Sequence, residues 1–516
     1  MKKDTQQNFS KWKSLIWPIY KEEYAKFIPM FFILFLITFN YNLLRATKDT
    51  LVVTAPSSGA EALAFIKVWI ILPSAILITY IFTRLSNRFG KEKVFYLMTG
   101  IFLIFFIIFV CILYPMRDYI HPNNLADKVQ SLLPSGLKGL IALFRNWTLT
   151  SFYVMAELWG TAVLTVLFWG FANEVTSIMQ AKRFYILFGA GANIAAILAG
   201  RASSILSKNS FNHFIPYGKT AWDQSVLFIS TTIIIIGILI MLLFRYLNKN
   251  VIAKEELNSP NIVKTKIKMS MRKNFSYLAK SKYLISIAII VLTYNLATNL
   301  VELVWKNQLK ALYPNPSDYN NYMGYVITMT GIIATISAFL MSGMLRKFTW
   351  TFNAILSPLI ILSTGLAFFS FFFFSSTTLA GIATLFGTTP LIMNVFFGTM
   401  QHCLSRAAKY TVFDSTKEIA FIPLSPESKL KGKAAIDGVG SRIGKSGGSI
   451  VHQGLLLGFS TIAIAAPYVA GIFTIVAIFW MISVVSLGKQ HNSLLAQDEK
   501  LKIPEKDEKK DPVPVN

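Results

Sequence analysis

Stretches of about twenty apolar residues, separated by loops rich in Lys and Arg, recur between residues 27 and 487. A run of that length spans the hydrocarbon core of a bilayer as a helix. Hydrophobic residues make up 54% of the 516, and charged residues only 15%. Soluble chains carry about 25% charged residues, so the two-to-four-domain soluble enzyme that length alone would allow fits poorly. Many of the 42 Phe fall in runs such as Ile101–Val110 and Ala367–Phe374.

Twelve spans can be drawn, roughly at 27–46, 62–83, 94–114, 148–171, 184–205, 224–246, 283–305, 322–345, 352–374, 377–400, 432–460 and 463–487. The eleventh is the weakest, because Asp437, Arg442 and Lys445 interrupt it. The first apolar run is too long for a signal-peptide core and lacks a cleavage site. Fifty Lys and Arg against 25 Asp and Glu leave a net charge of +25. Such an excess suggests nucleic acid in a soluble protein. In a membrane protein the positive-inside rule accounts for most of it, so no nucleic-acid partner is expected. The N-terminus, Arg84–Lys93, Lys182–Arg183, Arg245–Lys282, Arg346–Lys347, Arg406–Lys433 and the tail fall on one side, so both termini are expected in the cytoplasm.

The expected order is a cytoplasmic N-terminus (1–26), a six-helix bundle (27–246), a basic cytoplasmic linker (247–282), a second six-helix bundle (283–487) and a disordered cytoplasmic tail (488–516). Two weak internal matches support six plus six. Tyr41-Asn42-Leu43 recurs as Tyr294-Asn295-Leu296, an offset of 253. Gly189-Ala190-Gly191-Ala192-Asn193-Ile194 resembles Gly438-Val439-Gly440-Ser441-Arg442-Ile443, an offset of 249. Both pair a span with the sixth after it. The fold expected is an all-α polytopic membrane protein with a major-facilitator-like 6+6 pseudo-repeat and a substrate site between the halves.

Ionisable residues inside spans cost at least a few kcal/mol each near the bilayer centre, which makes them the best guide to a site. Tyr41, Arg45 and Lys48 share a face at i, i+4 and i+7, although cations near a span end can also snorkel. Glu157 lies about ten residues into its run and cannot snorkel easily; a structural ion pair is the plain alternative. Asn193 follows a Gly-x-Gly pair that favours close helix packing, and Arg201 lies near the end of the same span. Asn295, Asn299, Glu302 and Lys306 form one polar stripe, in which Glu302 and Lys306 could be an ordinary i,i+4 pair. Asp437, Ser441 and Lys445 share a face, and Arg442 can converge with Lys445. Two cations on a glycine-rich helix suit a phosphate chain, through forked Arg donors and a compact Lys charge. Close packing at the glycines explains the same residues differently.

Gly444-Lys445-Ser446 imitates the end of a phosphate-binding P-loop, but Val439 occupies the required glycine position and no strand precedes it. The five His make no HExxH and no pair at metal spacing. Cys111 and Cys403 make no CxxC. No metal, cofactor or enzymatic activity is expected.

At these residues the chain resembles the non-mitochondrial ATP/ADP translocases of obligate intracellular bacteria and plastids. The resemblance rests on Phe39-Asn40-Tyr41 through Leu44-Arg45-Ala46-Thr47-Lys48-Asp49, Ala156-Glu157-Leu158-Trp159-Gly160 and Phe168-Trp169-Gly170-Phe171-Ala172-Asn173. It continues through Ala181-Lys182-Arg183-Phe184-Tyr185, Asn299-Leu300-Val301-Glu302 with Trp305-Lys306, and Lys409-Tyr410 through Phe413-Asp414. Lys417-Glu418 to Ile422-Pro423-Leu424, Lys431-Gly432-Lys433-Ala434-Ala435 and Gly444-Lys445-Ser446-Gly447-Gly448 complete it. The resemblance implies twelve spans and nucleotide exchange, most often ATP against ADP, in some members with phosphate. Other members carry GTP, CTP or UTP, some with protons. The family's essential charges fall on Lys48, Glu157, Glu302 and Lys445. Expected substrate-binding residues are therefore Lys48, Glu157, Asn193, Glu302, Arg442 and Lys445, with Arg45, Asn299 and Lys306 as further candidates. The short N-terminus resembles the bacterial members, which implies the bacterial inner membrane; a functional monomer in the lipid bilayer is expected.

Overall fold

In hydrocarbon every backbone N–H and C=O must find a partner within the protein, and helices meet that demand along their own length. The computed structural model describes residues 17–253, 281–374, 378–424, 432–433, 436 and 440–502, and the described residues contain helices and no strand. The long helices are α1 (Tyr24–Val53), α2 (Glu61–Arg88), α3 (Lys91–Leu113), α4 (Trp147–Val175), α5 (Ile178–Leu206) and α6 (Ala221–Ile252). They continue with α7 (Lys282–Leu312), α8 (Pro316–Lys347), α9 (Trp350–Phe373), α10 (Pro390–Ala408), α11 (Ser441–Phe459) and α12 (Ile462–Lys502). Among the described residues ten of these, α1 to α9 and α12, are long and apolar enough to cross a membrane.

The structure departs from the expected spans where local chemistry overrides mean hydropathy. The expected span 377–400 is instead a short helix, Thr378–Leu385, then a turn, then α10. Gly387 adopts φ +65°, a left-handed conformation that breaks the helix. Thr389 caps the restart by accepting from the Ile392 N–H, and Pro390 takes the first helical position. The restart carries α10 on to Ala408, so Arg406 belongs to a helix and not to the cytoplasmic loop assigned to it. In the expected span 432–460 the regular helix is α11, nineteen residues with two cations; Asp437 lies outside the described residues. The first expected span, 27–46, runs on to Val53 and takes Lys48 and Asp49 inside the protein.

The termini differ as well. The tail expected to be disordered from 488 is helical to Lys502. His491 holds it, lying against Trp350 at 5.3 Å and bonded to the Tyr283 hydroxyl at 3.0 Å. Most of the expected linker 247–282 lies outside the described residues, although α6 continues to Ile252.

Two apolar clusters form the core. One gathers side chains from Ile19 to Ile252; the other is drawn mainly from Tyr283 to Leu487, joined by the end of α1 and the start of α2. The two helix groups meet most closely along α5 and α8. A Cβ on Gly200 would lie 2.5 Å from the Gly324 carbonyl oxygen, and one on Gly324 would lie 2.6 Å from that of Gly200. Small residues let the backbones approach this far. Asn320 bonds Ser203 at 3.1 Å, Ser207 at 2.8 Å and Thr50 at 3.0 Å, and the Ser204 hydroxyl donates to the Asn321 carbonyl at 3.0 Å. Gln453 donates to the Ala64 carbonyl at 3.0 Å, and Ser135 bonds Ser460 at 2.8 Å.

All these contacts lie toward the α5 C-terminus. Toward its N-terminus the groups part, leaving a space of about 1,080 Å³ lined by Trp169, Tyr185 and Ile186 on one side and Val291, Lys409, Phe413 and Lys417 on the other. Gly324→Val is expected to cost about 1–3 kcal/mol, the usual range for overpacking. The check is a lowered thermal midpoint of the purified protein; an unchanged midpoint would mean that α5 and α8 separate freely.

Candidate functional site

A cavity of about 290 Å³ lies between the two helix groups, near the lower end of the usual range for ligand sites. Its lining comes from α1, α2, α4, α7, α10 with the turn that follows it, and α11. Three of these elements contain π-helical turns at or beside the lining: Ile66–Ile71 in α2, Gly160–Phe168 in α4, and Lys409–Phe413 directly after α10. Such turns add a residue to the helical repeat and often mark functional sites. Here they accompany Lys67, Thr161, Lys409 and Tyr410, all on the cavity wall.

The first helix face predicted from sequence does meet the cavity: Tyr41, Arg45 and Lys48 all line it. Lys48 does not snorkel. It is 5% exposed, 3.1 Å from Glu157, 3.2 Å from Asp49, and 3.9 Å from the Tyr153 ring centroid. A charged chain continues across the seam between the helix groups. Asp49 on α1 meets Lys306 on α7 at 2.8 Å. Lys306 also bonds Glu302 at 2.8 Å, the i,i+4 pair foreseen from spacing. Glu302 in turn lies 3.3 Å from Lys67 and 3.8 Å from Arg406. Removing such charges from water costs several kcal/mol per ion, and mutual pairing offsets it.

Lys445 differs. It lines the cavity, remains accessible to solvent, and makes no ion pair among the described residues. The glycines beside it explain its position. A Cβ on Gly444 would lie 2.8 Å from the Asn295 Cβ, and one on Gly448 would lie 2.8 Å from the Asn299 Cβ. Close helix packing and the position of the lysine are therefore one arrangement: the bare face of α11 lets it press on α7, which sets Lys445 at the cavity.

Asn295, Asn299 and Glu302 line the cavity, and Lys306 is buried beside it. Asn193 is not brought there. It is half-buried on α5, with its backbone carbonyl facing Gly331 of α8, while Gly191 of the preceding Gly-x-Gly pair packs on the Phe31 ring of α1. The side chain of Arg442 lies outside the described residues. Arg201 is exposed on α5.

Among the wall residues that the sequence pattern does not single out, six carry or hold charge: Asp49, Lys67, Tyr153, His402, Arg406 and Lys409. Lys67 was legible as a charge within the second span. Asp49 was hidden by ending the first span at 46. Arg406 and Lys409 were counted as loop charges because the tenth span was drawn eight residues early. Tyr153 and His402 carry no pattern that separates them from core residues.

The wall holds six cations (Arg45, Lys48, Lys67, Arg406, Lys409 and Lys445) against three carboxylates (Asp49, Glu157 and Glu302). Adding the buried Lys306 gives seven against three, a formal excess of four positive charges. Arg and Lys donors facing a low-dielectric cavity suit a multiply charged oxyanion.

Comparison with known proteins extends this picture. The chain is 43% identical over 495 residues to "ADP,ATP carrier protein 1" of Chlamydia pneumoniae, covering 95% of this chain and 96% of that one. It is 40% identical over 474 residues to "ADP,ATP carrier protein 1, chloroplastic" of Arabidopsis thaliana, covering 92% of this chain and 75% of that one. Among solved structures it superposes on a D-xylose-proton symporter with a TM-score of 0.52 at 13% identity, covering 89% of this chain and 97% of that one. That likeness carries the fold alone: an all-helical, major-facilitator-like, multi-pass membrane protein. The family model of the TLC ATP/ADP transporter matches residues 2–491, and the chain belongs to that family.

Proposed function

We propose that this protein is a nucleotide antiporter, exchanging external ATP for internal ADP by alternating access. The observation that carries the reading is the cavity between the helix groups, where six cations on the wall and the buried Lys306 beside it outnumber three carboxylates. The names of the relatives supply the nucleotide. Lys48 and Lys445 bind phosphates; Lys445 has no ion-pair partner among the described residues, and Lys48 exchanges Glu157 for a phosphate oxygen. Glu157 and Glu302 neutralise the cations when the site is empty, since two carboxylates beside a tetra-anion would repel it. An empty site with an excess positive charge resists closure, which gives exchange rather than net uptake.

The same reading has twelve spans in two six-helix bundles, with α10 and α11 crossing as the tenth and eleventh. Internal symmetry supports it. Asn42 and Asn295, offset by 253, each donate to the carbonyl four residues earlier, Thr38 at 2.9 Å and Val291 at 2.8 Å. Asp49 and Glu302 share that offset, and both pair with Lys306. The π-helical turns beginning at Gly160 and Lys409 are offset by 249, the same offset that separates Gly189–Ile194 from Gly438–Ile443 in the sequence. With both termini in the cytoplasm of a bacterial inner membrane, the α5–α8 seam closes the outer side and the wide space opens inward.

Inward movement of ATP⁴⁻ against ADP³⁻ carries one net negative charge into the cell. An inside-negative potential opposes it by about 2.3 kcal/mol per 100 mV. Phosphate leaving with ADP removes that penalty, and is part of this proposal. The test is uptake of radiolabelled ATP into vesicles containing the purified protein and loaded with ADP, GTP, UTP or nothing. Uptake only against ADP is the expected result. Uptake into empty vesicles would replace exchange with ion-coupled import, and preference for another internal nucleotide would reassign the substrate.

A further inference from the structure

The cavity contains a second arrangement, which touches the ion-pair chain only through Arg406 among the described residues. The imidazole of His402, on α10, stacks on Trp305 at 4.6 Å between centroids and is 6% exposed. Its Nε2 lies 3.0 Å from Nη2 of Arg45 on α1 and 2.9 Å from Nε of Arg406, one turn further along α10. Guanidinium groups donate and never accept. Nε2 must therefore be the acceptor for both, and the proton of the neutral ring sits on Nδ1. One lone pair serves two cationic donors, one from each helix group. Arg45 has no carboxylate within ion-pair distance among the described residues, and Arg406 reaches only Glu302, at 3.8 Å. Both guanidiniums keep unused donors, and both line the cavity. Two like charges held together by one shared neutral acceptor are short of acceptors, and a tetrahedral oxyanion supplies them in forked geometry.

We infer that Arg45, His402 and Arg406 form a subsite for a dianionic phosphoryl group, and that His402 is the positioning residue holding the two guanidiniums for it. This rests on the nucleotide-exchange reading and adds what counts phosphates: a nucleotide long enough to reach the subsite is distinguished from a monophosphate that is not. The same chemistry fits two sources, the terminal phosphoryl group of a bound nucleotide or free orthophosphate beside it.

The test is displacement of radiolabelled ATP from the purified full-length protein by ATP, ADP, AMP and orthophosphate, with thermal midpoints measured in parallel. Four proteins are compared: the unmodified chain, Arg45→Gln, His402→Leu and His402→Gln. Arg45→Gln and His402→Leu are expected to weaken ATP and ADP about tenfold, the size of a lost hydrogen bond to a charged group, with AMP changed less than twofold. His402→Gln keeps a side-chain acceptor and is expected to recover at least half of the loss. Orthophosphate that displaces ATP identifies the nucleotide's own terminal group as occupant; orthophosphate that tightens ADP identifies the free ion. Either effect should vanish in Arg45→Gln. Equal losses for AMP and ATP, or losses below twofold throughout together with no effect of orthophosphate on ADP, would overturn the subsite. If the unmodified chain binds no nucleotide, the exchange reading fails. The subsite then stands only if orthophosphate raises the midpoint of the unmodified chain and not that of Arg45→Gln, and it falls otherwise.

Discussion

Lys306→Met is expected to destabilise the protein by about 3 kcal/mol, the lower end of the range for breaking a buried ion pair. Lys306 is 2% exposed and holds Asp49 and Glu302, each at 2.8 Å. Its removal strands neither acid completely. Asp49 keeps Lys48 at 3.2 Å, and Glu302 keeps Lys67 at 3.3 Å. That is why the lower end applies. The loss should be visible as a fall of several degrees in the thermal midpoint. Exchange should be lost with it, because the Asp49–Lys306 pair joins the two helix groups at the cavity. Asp49→Asn combined with Lys306→Met removes an acid together with its cation, and should restore part of the stability; neighbours in one network couple in this way. A midpoint for Lys306→Met within a degree of the unmodified protein would show that the network contributes no net stability.

Lys445→Ala should lower exchange without the loss of stability. Lys445 has no ion-pair partner among the described residues and stands open to the cavity. Its removal breaks no ion pair among the described residues, so the thermal midpoint should hold within about two degrees, as for substitutions away from packed or paired sites. Exchange should fall about tenfold to a hundredfold, since a hydrogen bond between charged groups is worth about 1.5–3 kcal/mol. Lys445→Arg keeps the charge but not the compact ammonium, and should recover only part of the rate. ATP uptake by Lys445→Ala within threefold of the unmodified protein would remove Lys445 from the site. Read together, the two lysines separate a charge that holds the structure from one held ready for a ligand.

The helical class and the membrane setting were determined by the sequence alone, because the bilayer demands about twenty apolar residues per crossing and that pattern is local. Five charged candidates on the cavity wall (Arg45, Lys48, Glu157, Glu302 and Lys445) were legible by the same logic, since a charge in an apolar run is conspicuous by its desolvation penalty. Hydropathy failed where a helix turns its polar face to a cavity. The tenth span was drawn to end at 400, whereas Gly387 and Thr389 restart the helix so that it carries Arg406 onto the wall, with Lys409 in the turn that follows. Asn193 illustrates the converse: a polar residue in a glycine-rich span that the tertiary packing assigns to the α5–α8 seam. The partners of these charges were decided only by the tertiary structure. Asp49 and Lys306 are 257 positions apart, Arg45 and His402 357, and nothing local in a sequence specifies which distant helices will share a cavity. Burial cost is a property of each residue, while its compensation is a property of the assembled helices, set by how closely their bare glycine faces let them approach.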